Sequence, residues 1–262
     1  MENTNEKSAV IYSKPKLTPV FEIFREALSI WWKNLDKILK IYWEGIKPTL
    51  IPLGVTAVLG ILAVVIDGPL GTVFKITMSI SAAVTLVLAI YFWTRSYAGI
   101  FLLVKKNYKD EATETYKETK KLFWPYIGLS LLTGLLILCW MLLLIIPGII
   151  FAFIYSFAVY AFFFEDKRGM KAVRRSREII KGYFWEVMGR LCFLGLIAWI
   201  FMMIISIPSE IYLSNQPLAL VPENSAVVQG WNFFTQVISW LVGPIAMLFT
   251  YKIYTDLIKI KK

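Results

Sequence analysis

The sequence contains no histidine. That absence removes His-ligated zinc, imidazole general bases and the Ser-His-Asp and Cys-His arrangements, each of which uses an imidazole. Cysteine is almost as scarce. The only two, Cys139 and Cys192, fall in separate apolar runs at depths that differ by roughly 12 Å at helical rise, so no disulfide is expected. Both read as packing residues, the usual behaviour of a free cysteine. Charge is thin as well, at 18% of residues against ~25% in a soluble domain. The apolar runs carry no paired-carboxylate site or metal-ligand cluster, so no enzyme activity, cofactor or metal is expected.

What is present is apolar. Hydrophobic residues make up 58% of the 262 against ~45–50% ordinarily, and the mean hydropathy is +0.63. A membrane-spanning helix needs ~20 mostly apolar residues to cross ~30 Å of hydrocarbon. Charge-free runs over 49–66, 76–94, 191–208 and 231–251 approach or meet that length. The longest, 122–164, has 43 residues without a charge and would reach about 64 Å as one helix, roughly twice the bilayer core. It must turn back, and Pro147-Gly148 is the expected place, because proline disfavours helix at the preceding residue and glycine permits unusual backbone angles. The expected fold is therefore all-α and polytopic. A polar segment, 1–16, precedes one membrane domain, 17–262, with spans near 48–66, 76–104, 122–145, 149–164, 183–207 and 231–252.

Lys and Arg test this count, since they gather on alternate, cytoplasmic connections. Residues 1–47 hold eight, 95–121 seven, 165–182 seven and the tail from Lys252 four. The first outer turn has only Lys75, the Pro147-Gly148 turn none, and 209–230 only the acids Glu210 and Glu223. The pattern predicts a multi-pass plasma-membrane protein with both termini cytoplasmic. Residues 1–16 lack the apolar core of a cleavable signal, so the spans are expected to direct insertion. Trp43, Trp124 and Trp185 at the cytoplasmic entrances, with Trp140 and Trp231 toward the outside, fit an aromatic belt.

Before the first span, Val20, Phe24, Ala27, Leu28, Trp31, Leu35, Ile38 and Leu39 recur at helical spacing opposite charged residues. This predicts an amphipathic helix that either lies in the headgroup layer or packs on the protein's own spans. Similar lead-ins precede the third span, over 112–121, and the fifth, over 171–183. Lys120/Lys181, Phe123-Trp124/Phe184-Trp185 and Gly128/Gly189 recur at an offset of 61, which suggests a parallel internal repeat.

Candidate functional residues are charges near or inside the membrane. Lys167, Arg168, Lys171, Arg174, Arg175, Arg177 and Lys181 form the densest cluster. They either hold anionic lipid headgroups, at ~1 kcal/mol each near a negative leaflet, or serve only as the orientation signal. Arg190 sits about two turns into the fifth span, where Glu186 at i−4 is its expected partner. The pair either neutralises itself or marks a polar site. Lys75 and Arg95 bracket the second span as snorkelling anchors. Gly243-Pro244 interrupts the sixth span and frees backbone carbonyls there, a feature also found at transporter sites. The net charge of +10 is accounted for by topology, so membrane lipid rather than nucleic acid is the expected partner, with a homo-oligomer or membrane protein partner open.

Ile145, Ile146, Pro147, Gly148, Ile149 and Ile150, then Phe164-Glu165-Asp166, Ala172-Val173-Arg174-Arg175-Ser176 and Lys181-Gly182-Tyr183-Phe184-Trp185, form a recognisable set. It resembles the membrane domain of glycerophosphoryl diester phosphodiesterases and its stand-alone bacterial relatives, most closely over 120–205 and more loosely from Ala27 through the first hairpin. The resemblance implies a six-helix plasma-membrane bundle. It does not imply phosphodiesterase activity, which in the fused enzymes belongs to a separate soluble barrel. Two roles are expected: a lipid-interacting or envelope-homeostasis scaffold, or a small transporter or permease component built on Glu186 and Arg190.

Overall fold

A backbone in hydrocarbon can bond only to itself, so long apolar runs become helices. The computed structural model describes residues 17–214 and 226–261; the segment 1–16 and Glu223 lie outside the described residues. Among the described residues every regular element is helical: α1 (Val20–Lys33), α2 (Leu35–Val65), α3 (Gly68–Lys105), α4 (Ala112–Leu143), α5 (Ile145–Tyr155), α6 (Ala158–Phe164), α7 (Met170–Ile180), α8 (Phe184–Ser214) and α9 (Ala226–Ile260). Six segments are long and apolar enough to cross a membrane, with α5 and α6 together forming the fourth. The chain is an all-α polytopic membrane protein.

The helices outrun the apolar runs. The 31 residues of α2 and 38 of α3 span about 46 and 57 Å, well past the hydrocarbon. The polar lead-in 112–121 is the first part of α4 rather than a separate helix. The first lead-in divides instead: Asn34 breaks it, its Nδ2 donating to the Ile30 carbonyl at 2.8 Å, and Leu35, Ile38 and Leu39 belong to α2. α1 packs on α9 with Ile23 and Ala27 buried, while Phe21 and Trp32 stay exposed. The lead-in thus packs on the protein's own span. The repeat is not matched in detail, since α4 runs unbroken through Lys120 and Phe123 whereas Lys181 to Tyr183 separates α7 from α8.

The turns also differ from expectation. α3 begins at Gly68, so the exposed Lys75 lies two turns inside it rather than in the outer connection. The 122–164 run turns at Leu144, which is extended (φ −157°, ψ 130°), and helix resumes at Ile145. Pro147 falls in the first turn of α5, where backbone N–H groups have no helical partner to lose. Gly148 serves close approach: a Cβ there would lie 2.3 Å from Met141 Cγ and 2.8 Å from Met141 Cα. Trp140 stacks on Phe151 at 4.2 Å and closes the hairpin. A further break at Ser156 and Phe157 separates α5 from α6; the Ile154 carbonyl there accepts the Ser176 hydroxyl of α7.

Packing is concentrated at one end. Buried residues come from the C-terminal part of α3, the N-terminal part of α4, α6, α7 and the later half of α9, all at the end where the basic connections meet. Phe101 stacks on Phe163 at 4.6 Å, and Tyr160 lies 5.7 Å from Tyr254. Toward the other end the helices present exposed Leu, Ile, Val and Phe, such as Ile61, Val87, Leu142 and Phe233, with lipid as the remaining contact. Cys139 and Cys192 are free and exposed rather than part of the packing.

Candidate functional site

The basic cluster gathers on and before α7, whose Ala172, Val173, Ser176, Ile179 and Ile180 are buried against the bundle. Its seven cations separate into two groups. Arg175 Nε donates to both Glu165 carboxylate oxygens, at 3.0 and 2.7 Å, and Tyr254 Oη of α9 donates to the same carboxylate at 3.0 Å. Hydrogen bonding to Glu165 holds the Arg175 guanidinium pKa above its ordinary value. Arg177 donates to Tyr155 Oη and lies over the Phe151 and Tyr155 rings. Arg168 sits 4.1 Å from the centre of the Phe162 ring, within the range of cation–π attraction. These three arginines pin α7 and its lead-in to the core. Lys167, Lys171, Arg174 and Lys181 are exposed, as are Arg168 and Arg177. Among the described residues Arg175 alone of the seven forms an ion pair, and what sets Arg168 and Arg177 apart is their contact with aromatic side chains. Lys171 and Arg174 lie on α7 itself, with Lys167 before it and Lys181 at its C-terminal cap, and together they make an exposed cationic stripe on and around the helix.

Arg190 is only partly exposed. Its guanidinium donates to the Glu186 carbonyl at 3.0 Å and to the Thr18 and Leu17 carbonyls at 3.1 and 3.3 Å. The expected Glu186 partnership is therefore made through the backbone as well as through the charge of its carboxylate, with Asp256 also near enough to act. The fork of donors suits several carbonyls at once, and the result ties the start of α1 to α8. Among the described residues, Arg190 Nε and Asp256 Oδ2 are buried without a hydrogen-bond partner.

Arg95 is not a snorkelling anchor. It is 9% exposed, donates to Thr119 Oγ1 at 3.0 Å and to the Tyr116 carbonyl at 3.1 Å, and lies 4.4 Å from the centre of the Tyr116 ring. It joins α3 to α4. The Gly243-Pro244 interruption is likewise closed from within. Pro244 has no N–H to offer the Trp240 carbonyl four residues back, and Tyr42 Oη donates to that carbonyl at 3.0 Å. Trp31 Nε1 donates to the adjacent Leu241 carbonyl at 2.9 Å. Tyr42→Phe is expected to cost about 1–3 kcal/mol by leaving a carbonyl unmatched away from water. In a Pro244→Ala background, where the new N–H takes that role, the same change should cost much less; paired thermal melts in detergent read the difference.

Two cavities flank these elements. One of about 880 Å³ opens between α2, α3 and α9, walled by residues including Trp43, Leu53, Ala89, Trp93, Phe233 and Trp240. Its hydroxyls already donate to carbonyls: Thr49 to Ile46, Ser96 to Phe92 and Tyr42 to Trp240. The other, about 400 Å³, lies beside α7. Neither is lined by Glu186 or Arg190. Comparison with known proteins returns no matching family model, no matching curated protein and no matching solved structure.

Proposed function

We propose that this chain is a non-enzymatic integral protein of the prokaryotic plasma membrane that holds anionic lipid headgroups along α7, as a lipid-interacting scaffold in envelope homeostasis. The observation that carries this reading is the division within the basic cluster. A helix used only as an orientation signal has no need to bury one face while leaving Lys171 and Arg174 exposed on the other, with Lys167 and Lys181 exposed just beyond its two ends. With both termini and the basic connections on the cytoplasmic side, as the Lys/Arg distribution supports, that stripe meets the negatively charged inner leaflet. Each cation there gains about 1 kcal/mol. The likeness to the membrane domain of the phosphodiesterase family is part of the same proposal and adds no catalytic step.

The transport alternative rests on Glu186 and Arg190. Arg190's ties to three backbone carbonyls weigh against a mobile substrate site there. The test is native mass spectrometry from mild detergent with equal phosphatidylglycerol and phosphatidylcholine. The wild type is expected to retain the anionic lipid preferentially, and a Lys167→Gln/Lys171→Gln/Arg174→Gln variant to lose most of that preference. Unchanged preference would reduce the stripe to a topology signal and return the weight to transport assays on Arg190 variants.

A further inference from the structure

The cavity of about 400 Å³ is an apolar slot with a cationic mouth. Ile150 and Ile154 of α5 share one helical face and form its wall with Phe184 of α8, and Arg177, Glu178 and Lys181 stand at its rim. We propose that this slot binds one anionic amphiphile of the membrane, its phosphate between Arg177 and Lys181 and its hydrocarbon chain along α5. The inference rests on the reading of α7 as headgroup-facing and names the ligand.

Charge and shape both support it. Glu178 already faces Arg175 at 3.4 Å, and Lys261 Nζ donates to the Glu178 carbonyl, so the rim holds more cations than anions. Burial, together with the nearby charges of Arg175 and Lys181, holds the Lys261 ammonium pKa below its ordinary value. An incoming phosphate relieves that crowding. Arg177 is already oriented, with one nitrogen on the Tyr155 hydroxyl and its Cζ 5.2 Å from the Phe151 ring centre. Its remaining N–H donors are available to a phosphate, which a guanidinium binds in bidentate fashion. Ile150 lies one turn beyond Ile154 from the rim, about 6 Å further along α5, so an attached chain follows an apolar path. The volume falls within the ~300–1,000 Å³ of ordinary ligand sites.

The experiment counts phospholipids retained by the full chain from nanodiscs of equal phosphatidylglycerol and phosphatidylcholine, using native mass spectrometry at increasing collisional activation. The expected result is a single phosphatidylglycerol that survives after looser lipids have left. Arg177→Gln/Lys181→Gln and Ile150→Trp should each lower its occupancy at least tenfold. Ile150→Trp keeps every charge and fills the slot, and its thermal melt shows whether the fold is intact. Lys167→Gln/Lys171→Gln/Arg174→Gln should thin the loosely held lipids and spare the tight one. Retention of the tight lipid in both slot variants overturns this proposal and leaves the scaffold reading standing. Its loss only in the Lys167, Lys171 and Arg174 variant also overturns the slot while supporting the stripe. A parallel arm offers inorganic phosphate alone; phosphate held as tightly as the lipid would assign the site to a free anion and overturn the amphiphile.

Discussion

Gly148→Leu is expected to remove most folded, monodisperse protein from a mild-detergent extract, whereas Gly134→Leu in the same hairpin should behave like the wild type. The contrast follows from what each new side chain meets. At Gly148 a Cβ would lie 2.3 Å from Met141 Cγ, 2.8 Å from its Cα and 2.9 Å from its N. The side chain could turn aside, but the backbone atoms belong to α4 itself. Making room means parting α4 from α5, which also separates Trp140 from Phe151. Overpacking typically costs ~1–3 kcal/mol and occasionally more. Because backbone atoms cannot move aside, the cost is expected to exceed that range and to take most of a stability at the lower end of ~5–15 kcal/mol. A Cβ at Gly134 has nothing within 4 Å. Size-exclusion profiles and thermal melts of the two variants check the expectation, and equal behaviour would refute it.

The second large effect is expected at Arg175. Its partner Glu165 follows α6, Arg175 lies on α7, and Tyr254 of α9 donates to the same carboxylate. The two charged side chains are 31% and 21% exposed, between a surface pair worth ~0–1 kcal/mol and a fully buried one whose breakage costs ~3–5 kcal/mol. Arg175→Met is therefore expected to destabilise by about 2 kcal/mol, the intermediate figure, by stranding a half-buried carboxylate. Glu165→Gln should cost less because the amide still accepts from Tyr254. The double variant should lose less than the sum of the single losses, since no uncompensated charge remains. Strict additivity in detergent melts would show that the two residues do not act together. Lipid-binding variants of α7 should accordingly leave Arg175 in place.

The six spans were legible because hydropathy measures transfer from water to an apolar medium, which is what a spanning segment requires. Hydropathy does not distinguish lipid from protein as that medium. The exposed Ile61 and the buried Leu103 therefore read alike, and the concentration of packing at one end was not visible. Cys139 and Cys192, exposed in the structure, read as packing residues for the same reason. The place of Arg95 at the end of an apolar run reads as a membrane boundary; its burial depends on Tyr116 and Thr119, more than 20 residues away. Pro244 did announce an orphaned carbonyl at Trp240, but nothing local could select Tyr42 as the donor. Within the basic cluster, counting charges could not separate arginines held by Glu165, Tyr155 and Phe162 from the exposed Lys167, Lys171, Arg174 and Lys181.

The unequal packing along the spans sets how freely the sequence can drift. Where Ile61, Val87, Leu142 and Phe233 face outward, one apolar residue exchanges for another at little cost, since lipid conforms to any shape. Around Phe101, Phe163 and Tyr254 each volume is matched by a neighbour, and replacement needs a compensating change. A saturating mutational scan of this one chain should therefore find substitution tolerance graded along each helix axis, permissive at the end remote from the basic connections and restrictive near them.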